Sequence, residues 1–139
     1  MNKAWNQSGN AGQAGTKVEA GFNLNGTPNN YKIDSSYTNE TGRMRIKFNI
    51  GGSAPTFANF HIHPGQSSSG MPSTPDNNFE GNKEGDTGMV DRINRDYGQA
   101  VQVYIMSWKG LSMYDPKTKA PPLQLVKGTG FLKGEGCPQ

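Results

Sequence analysis

The chain has one cysteine, Cys137, in 139 residues. That excludes an intramolecular disulfide and every zinc site built on two or four cysteines. It has two histidines, His61 and His63, so any centre that needs three imidazoles is excluded on count. Long apolar runs are missing: stretches such as Val101 to Met106 are interrupted within a few residues, far short of the ~20 that a membrane-spanning helix needs. The first residues lead into Gln, Ser, Asn and Gly rather than the apolar core of a secretory signal peptide. The expectation is therefore a soluble domain of unspecified compartment, and export would need a route other than a classical leader. Clustered charge is also scarce. Fourteen basic and eleven acidic side chains give +3, but they are scattered with no basic run, which argues against a nucleic-acid partner.

What is present is glycine (19), proline (9) and polar loop material, with apolar residues at only 32 %. A chain this long makes one domain, here 1–139, with a small core under long polar loops. Segments 1–15 and 128–139 are expected at its periphery, the first as a short helix or tail anchored by Ala4 and Trp5.

From Lys17, the residues Val18, Ala20, Phe22 and Leu24 alternate with Glu19, Gly21 and Asn23, the period of a half-buried strand that turns Glu19 away from the apolar row. A turn cluster from Gly26 to Asn30 leads to a returning strand over Tyr31 to Tyr37. Arg43 to Ile50 alternates without a fault and is the clearest expected strand. Phe57 to His63 is the next, ended by Pro64, with Asn59, His61 and His63 on one face. Residues 64–85 form a polar loop whose length suggests function. Asp86 as N-cap, the stripe Met89, Val90, Ile93 and Tyr97, and Gly98 as the stop predict a helix. Ala100 to Met106 and Gly110 to Tyr114 read as a hairpin, and Leu123 to Val126 as a further strand.

The two histidines stand at i and i+2 on one strand, so their side chains project side by side and can share an ion. Neutral imidazole suits Zn²⁺, and a catalytic zinc takes three protein ligands and keeps a fourth position open. With no other imidazole and no nearby thiol, the third ligand must be a carboxylate. Several carboxylates have ordinary explanations. Glu40 sits in a turn, and Asp91, Arg92, Arg95 and Asp96 look like the wet face of the helix. Tyr104, Trp108, Tyr114 and the methionines read as core.

The run His61-Ile62-His63-Pro64, then Ser73-Thr74-Pro75-Asp76, with Glu19 upstream, resembles the JAMM (JAB1/MPN) metallopeptidase motif over about residues 17–97. The resemblance implies a curved mixed sheet flanked by one or two helices, an α/β fold of cytidine-deaminase-like architecture, with zinc as cofactor. It implies His61 and His63 as zinc ligands, an aspartate completing the set, Glu19 as general base and a serine, Ser73 being the best placed, as oxyanion donor. Two aspartates compete. Asp76 satisfies the literal motif but at a longer gap than usual from His63, while Asp86 opens the expected helix but has no serine three residues before it.

On this resemblance the activity is zinc-dependent hydrolysis of a peptide or isopeptide bond in a protein or peptide substrate. The Gly/Asn/Ser-rich loops and small size are similar to JAB-like domains at the C-termini of bacterial Rhs polymorphic toxins, which implies an effector with an immunity protein as partner. Two other classes compete. A non-catalytic JAMM-like scaffold would bind partners without zinc, and a metal-dependent nuclease toxin would fit the basic charge but not the histidine spacing.

Overall fold

The computed structural model describes residues 1–8, 19–34, 47–64, 70–75 and 84–132. Helix α1 (Asn2–Gln7) is followed by strands β1 (Gly21–Thr27), β2 (Asn30–Asp34) and β3 (Thr56–Ile62). Helix α2 (Gly85–Tyr97) leads to β4 (Gln102–Ser107), β5 (Gly110–Tyr114), β6 (Leu123–Lys127) and a 3-10 turn, Gly130–Leu132. The strands form one mixed sheet in the order β2-β1-β3-β4-β5-β6. Neighbours are antiparallel except β3 and β4. A parallel pair needs a crossover, and α2 supplies it.

The sheet separates two apolar clusters. On one face Ile62, Met106 and Leu111 pack with Ala4 and Trp5 of α1. The rings of Phe22, Phe60 and Tyr104 stack across three strands on that face, with centroids 4.9 and 4.3 Å apart. On the other face Val103 and Ile105 of β4 and Tyr114 of β5 pack against Val90 and Ile93 of α2. His61 pairs with Ile105 in the parallel ladder, which puts its side chain on the α2 face. The stripe expected of α2 holds at Val90 and Ile93, but Tyr97 is 62 % exposed. The helix stops at Gly98, whose φ of 66° makes the left-handed cap.

Several expectations change. Alternation in Arg43 to Ile50 promised a strand, yet 47–50 lie in none, and residues 35–46 are outside the described set. Side chains hold this segment together with a single backbone bond, Thr56 N–H donating to Asn49 O at 3.0 Å. Asn23 Nδ2 donates to Lys47 O at 2.7 Å, Asn49 N–H donates to Thr56 Oγ1 at 2.9 Å, and Gln99 Nε2 donates to Asn49 O at 2.8 Å. Phe48 meanwhile packs against the α2-side cluster, while Ile50 is 41 % exposed.

In β1 the polar side chains are the deeper ones: Asn23 is fully buried while Phe22 and Leu24 are half-buried. The alternation sorts the faces, but the polar row faces inward because it has partners there. The strand itself begins at Gly21, after Glu19 and Ala20, Lys17 and Val18 lying outside the described residues, and the return strand ends its described course at Asp34. Finally, Asp91 is not on a wet face, since its Oδ1 accepts from Tyr114 Oη at 2.7 Å.

Candidate metal centre

His61 is the last residue but one of β3, and His63 follows one residue beyond the strand. The ladder direction is extended past the strand end by His63 N–H, which donates to Met106 O at 3.1 Å. Both imidazoles therefore project from the same face, as the i, i+2 spacing requires. Asp86 approaches from above, in the first turn of α2.

The three side chains converge. His61 Nε2 and His63 Nε2 are 3.2 Å apart, and Asp86 places Oδ1 3.3 Å from His61 Nε2 and Oδ2 3.3 Å from His63 Nε2. For ligand bonds of about 2.0–2.1 Å at the tetrahedral angle, donor atoms on one face of a zinc site stand about 3.3 Å apart. The two imidazole nitrogens match that edge length, and each stands 3.3 Å from one of the two Asp86 oxygens, so the three residues could hold a metal ion. His61 is buried, and His63 is the most open of the three.

Electrostatics tie the group together. Burial alone would lower the His61 pKa, but the charge and hydrogen bond of Asp86, with a smaller contribution from Glu19, raise it above the ordinary 6.5. Burial alone would raise Asp86, yet His61 and then His63 hold its carboxyl well below the usual carboxylate range. A carboxylate facing two imidazoles at this distance favours a shared proton or a metal cation among them.

Asp86 is the second residue of its helix, not the N-cap, which is Glu84. Its carboxylate is thus free of capping and is held by Ser73. Ser73 N–H and Oγ–H both donate to Asp86 Oδ2 at 2.7 Å, while Asp86 N–H donates to Ser73 Oγ at 2.9 Å and Thr87 N–H donates to Ser73 O at 3.0 Å. The serine and the acid are thus joined by hydrogen bonds across thirteen positions of chain. Asp76 and Glu40 lie outside the described residues.

Close approach of the two segments depends on Gly85. Its φ is +63°, and a Cβ there would stand 2.8 Å from Ser73 O and from the Thr74 carbonyl. A side chain would push the Ser73 segment off the helix start.

Glu19 precedes β1 by two residues, and its neighbour Ala20 accepts from Ile62 N–H at 2.9 Å. Gly21 stands opposite His61 in the antiparallel register, which brings the segment carrying Glu19 to the end of β3 where the histidines sit. Glu19 is half-buried, and its charge is felt at His61.

One neighbour of the histidines was placed on their face by the sequence without being given any role. Asn59, 1 % exposed, puts Oδ1 2.8 Å from His61 Nδ1 and Nδ2 2.7 Å from Asn23 Oδ1. The i, i+2, i+4 spacing of Asn59, His61 and His63 was the available signal. No helix among the described residues is long and apolar enough to cross a membrane. No family model matches the sequence, and neither a curated protein nor a solved structure matches it.

Proposed function

We propose that the protein is a zinc-dependent hydrolase that cleaves a peptide or isopeptide bond. The observation that carries the reading is the convergence of His61 Nε2, His63 Nε2 and the two Asp86 carboxylate oxygens, with contacts of 3.2 to 3.3 Å, beside a glutamate whose charge reaches it. His61 and His63 would hold zinc through Nε2 and Asp86 through its carboxylate. Zinc bound there supplies a Lewis acid for the scissile carbonyl and lowers the pKa of water to about 7.

The remaining work falls to the chain's own groups. The Glu19 carboxylate takes a proton from the attacking water and passes it to the leaving amine nitrogen, a task for a base that is outside the ligand set. Ser73 is read here as the residue that positions Asp86, since its single hydroxyl proton is directed at Oδ2. The exposed side of His63 is where substrate would enter. Assignment to the JAMM type, and to toxin-like effectors with an immunity partner, is carried by the motif resemblance alone.

Metal analysis of purified protein is expected to give about one zinc per chain, lost in His61→Ala. Glu19→Gln is expected to retain zinc while hydrolysis of a peptide or isopeptide substrate is lost. Wild-type protein that binds no zinc would overturn the reading in favour of a partner-binding scaffold, and zinc-dependent degradation of DNA or RNA would overturn it in favour of a nuclease.

A further inference from the structure

The buried side chains beneath His61 form a directed chain of hydrogen bonds. Asn23 Nδ2 donates to Lys47 O at 2.7 Å, so Asn23 turns Oδ1 toward β3. Asn59 Nδ2 donates to that Oδ1 at 2.7 Å and to Phe22 O at 3.5 Å. Both amide hydrogens of Asn59 are thereby used on β1, and what it presents to His61 is its carbonyl oxygen, 2.8 Å from Nδ1. An amide oxygen only accepts. His61 Nδ1 must then carry the hydrogen, and in the neutral ring Nε2 is left as a lone pair aimed at His63 and Asp86.

We infer that Asn59, oriented by Asn23 and the Lys47 carbonyl, is a positioning residue that fixes His61 in its Nδ1–H tautomer and so makes Nε2 the ligand atom of the site. The inference rests on the metal-centre reading for its purpose, but the tautomer is a property of the zinc-free chain. Asn23, Asn59 and His61 are at most 2 % exposed, so water does not compete for these bonds. Leaving such groups unpaired in the interior would be costly. Groups of this kind orient ligating imidazoles in metal sites, and their loss costs about 10–100-fold in metal affinity.

The test uses the full chain with ¹⁵N-labelled histidine, in zinc-free form, at a pH where both imidazoles are neutral. Imidazole nitrogen shifts are expected to report His61 with hydrogen on Nδ1. Asn59→Leu, nearly isosteric but unable to accept, is expected to populate the Nε2–H form and to lose roughly 10–100-fold in zinc affinity by chelator competition. Asn59→Asp keeps an acceptor for Nδ1–H while setting its second oxygen against Asn23 Oδ1. It is expected to lower the melting temperature yet keep both the tautomer and zinc affinity within about threefold of wild type.

A merely structural role would make tautomer and affinity follow stability in both variants, and that pattern overturns the inference. So does an Nε2–H tautomer in wild type. If Asn59→Leu does not fold, Asn23→Ala replaces it, with the same shift of tautomer expected. A chain that shows the Nδ1–H tautomer but takes up no zinc upholds the relay and removes the metal reading, so the two fail separately.

Discussion

Gly85 and Gly98 offer a controlled comparison within one helix. Both have φ near +65°, at 63° and 66°. Alanine at Gly98 meets no atom within 4 Å, whereas at Gly85 its Cβ would lie 2.8 Å from three backbone atoms of Ser73 and Thr74. The left-handed conformation costs an L residue about 1–2 kcal/mol at either site. At Gly85 the contact adds overpacking of about 1–3 kcal/mol, giving roughly 2–5 kcal/mol in all. At about 3 °C per kcal/mol for a chain of this length, Gly98→Ala should lower the melting temperature by roughly 3–6 °C and Gly85→Ala by roughly 6–15 °C. The atoms that must yield carry Ser73, whose N–H and hydroxyl hold Asp86. Zinc affinity measured by chelator competition should therefore fall in Gly85→Ala and stay unchanged in Gly98→Ala. Equal melting losses with equal affinities would refute the argument that this close approach sets the acid's position.

Two further outcomes follow from the site. Ser73→Ala keeps the backbone donor to Asp86 but loses the hydroxyl, so zinc affinity should fall about tenfold; a variant with wild-type affinity and a lowered kcat would instead make the hydroxyl an oxyanion donor. In zinc-free protein, the raised His61 pKa contributes stability that is fully present below 6.5 and is lost as pH rises through the raised value. The depressed Asp86 pKa contributes stability present above 3.8 and lost as pH falls through its lower folded value. Melting temperature with chelator present should thus peak between those limits and decline on the alkaline side of His61, and Asp86→Asn should flatten the curve. An unaltered curve in Asp86→Asn would sink the assignment of that coupling.

Local pattern made β3 and the facing of its histidines legible, as it did α2 with its Gly98 stop and the β4–β5 hairpin. Each rests on contacts between near neighbours or on a periodicity that one element completes alone. The mixed α/β sheet was readable for the same reason. What failed depends on partners distant in the chain. Residues 47–50 take their shape from Asn23, Thr56 and Gln99, which no alternation within the segment encodes. The role of Asn59 required knowing that Asn23 stands beside it across β1 and β3. That Asp86 stands with the histidines was not readable because it depends on Ser73, thirteen positions away in the chain, which holds the carboxylate by hydrogen bonds.

The lone parallel pairing in the sheet has a consequence for how such sites can be recognised. A crossover must leave where β3 ends and come back to where β4 begins, and a helix of 13 residues, about 20 Å long, spans a strand of this size. Its opening turn is thereby delivered over the histidines by topology, whatever the length of the connection that precedes it. Lengthening a loop costs little, about 0.6 kcal/mol per doubling. Insertions between the imidazoles and the acid are therefore nearly silent in three dimensions while they destroy any fixed-interval signature, so the invariant to search for is strand exit and helix entry, not a count of residues.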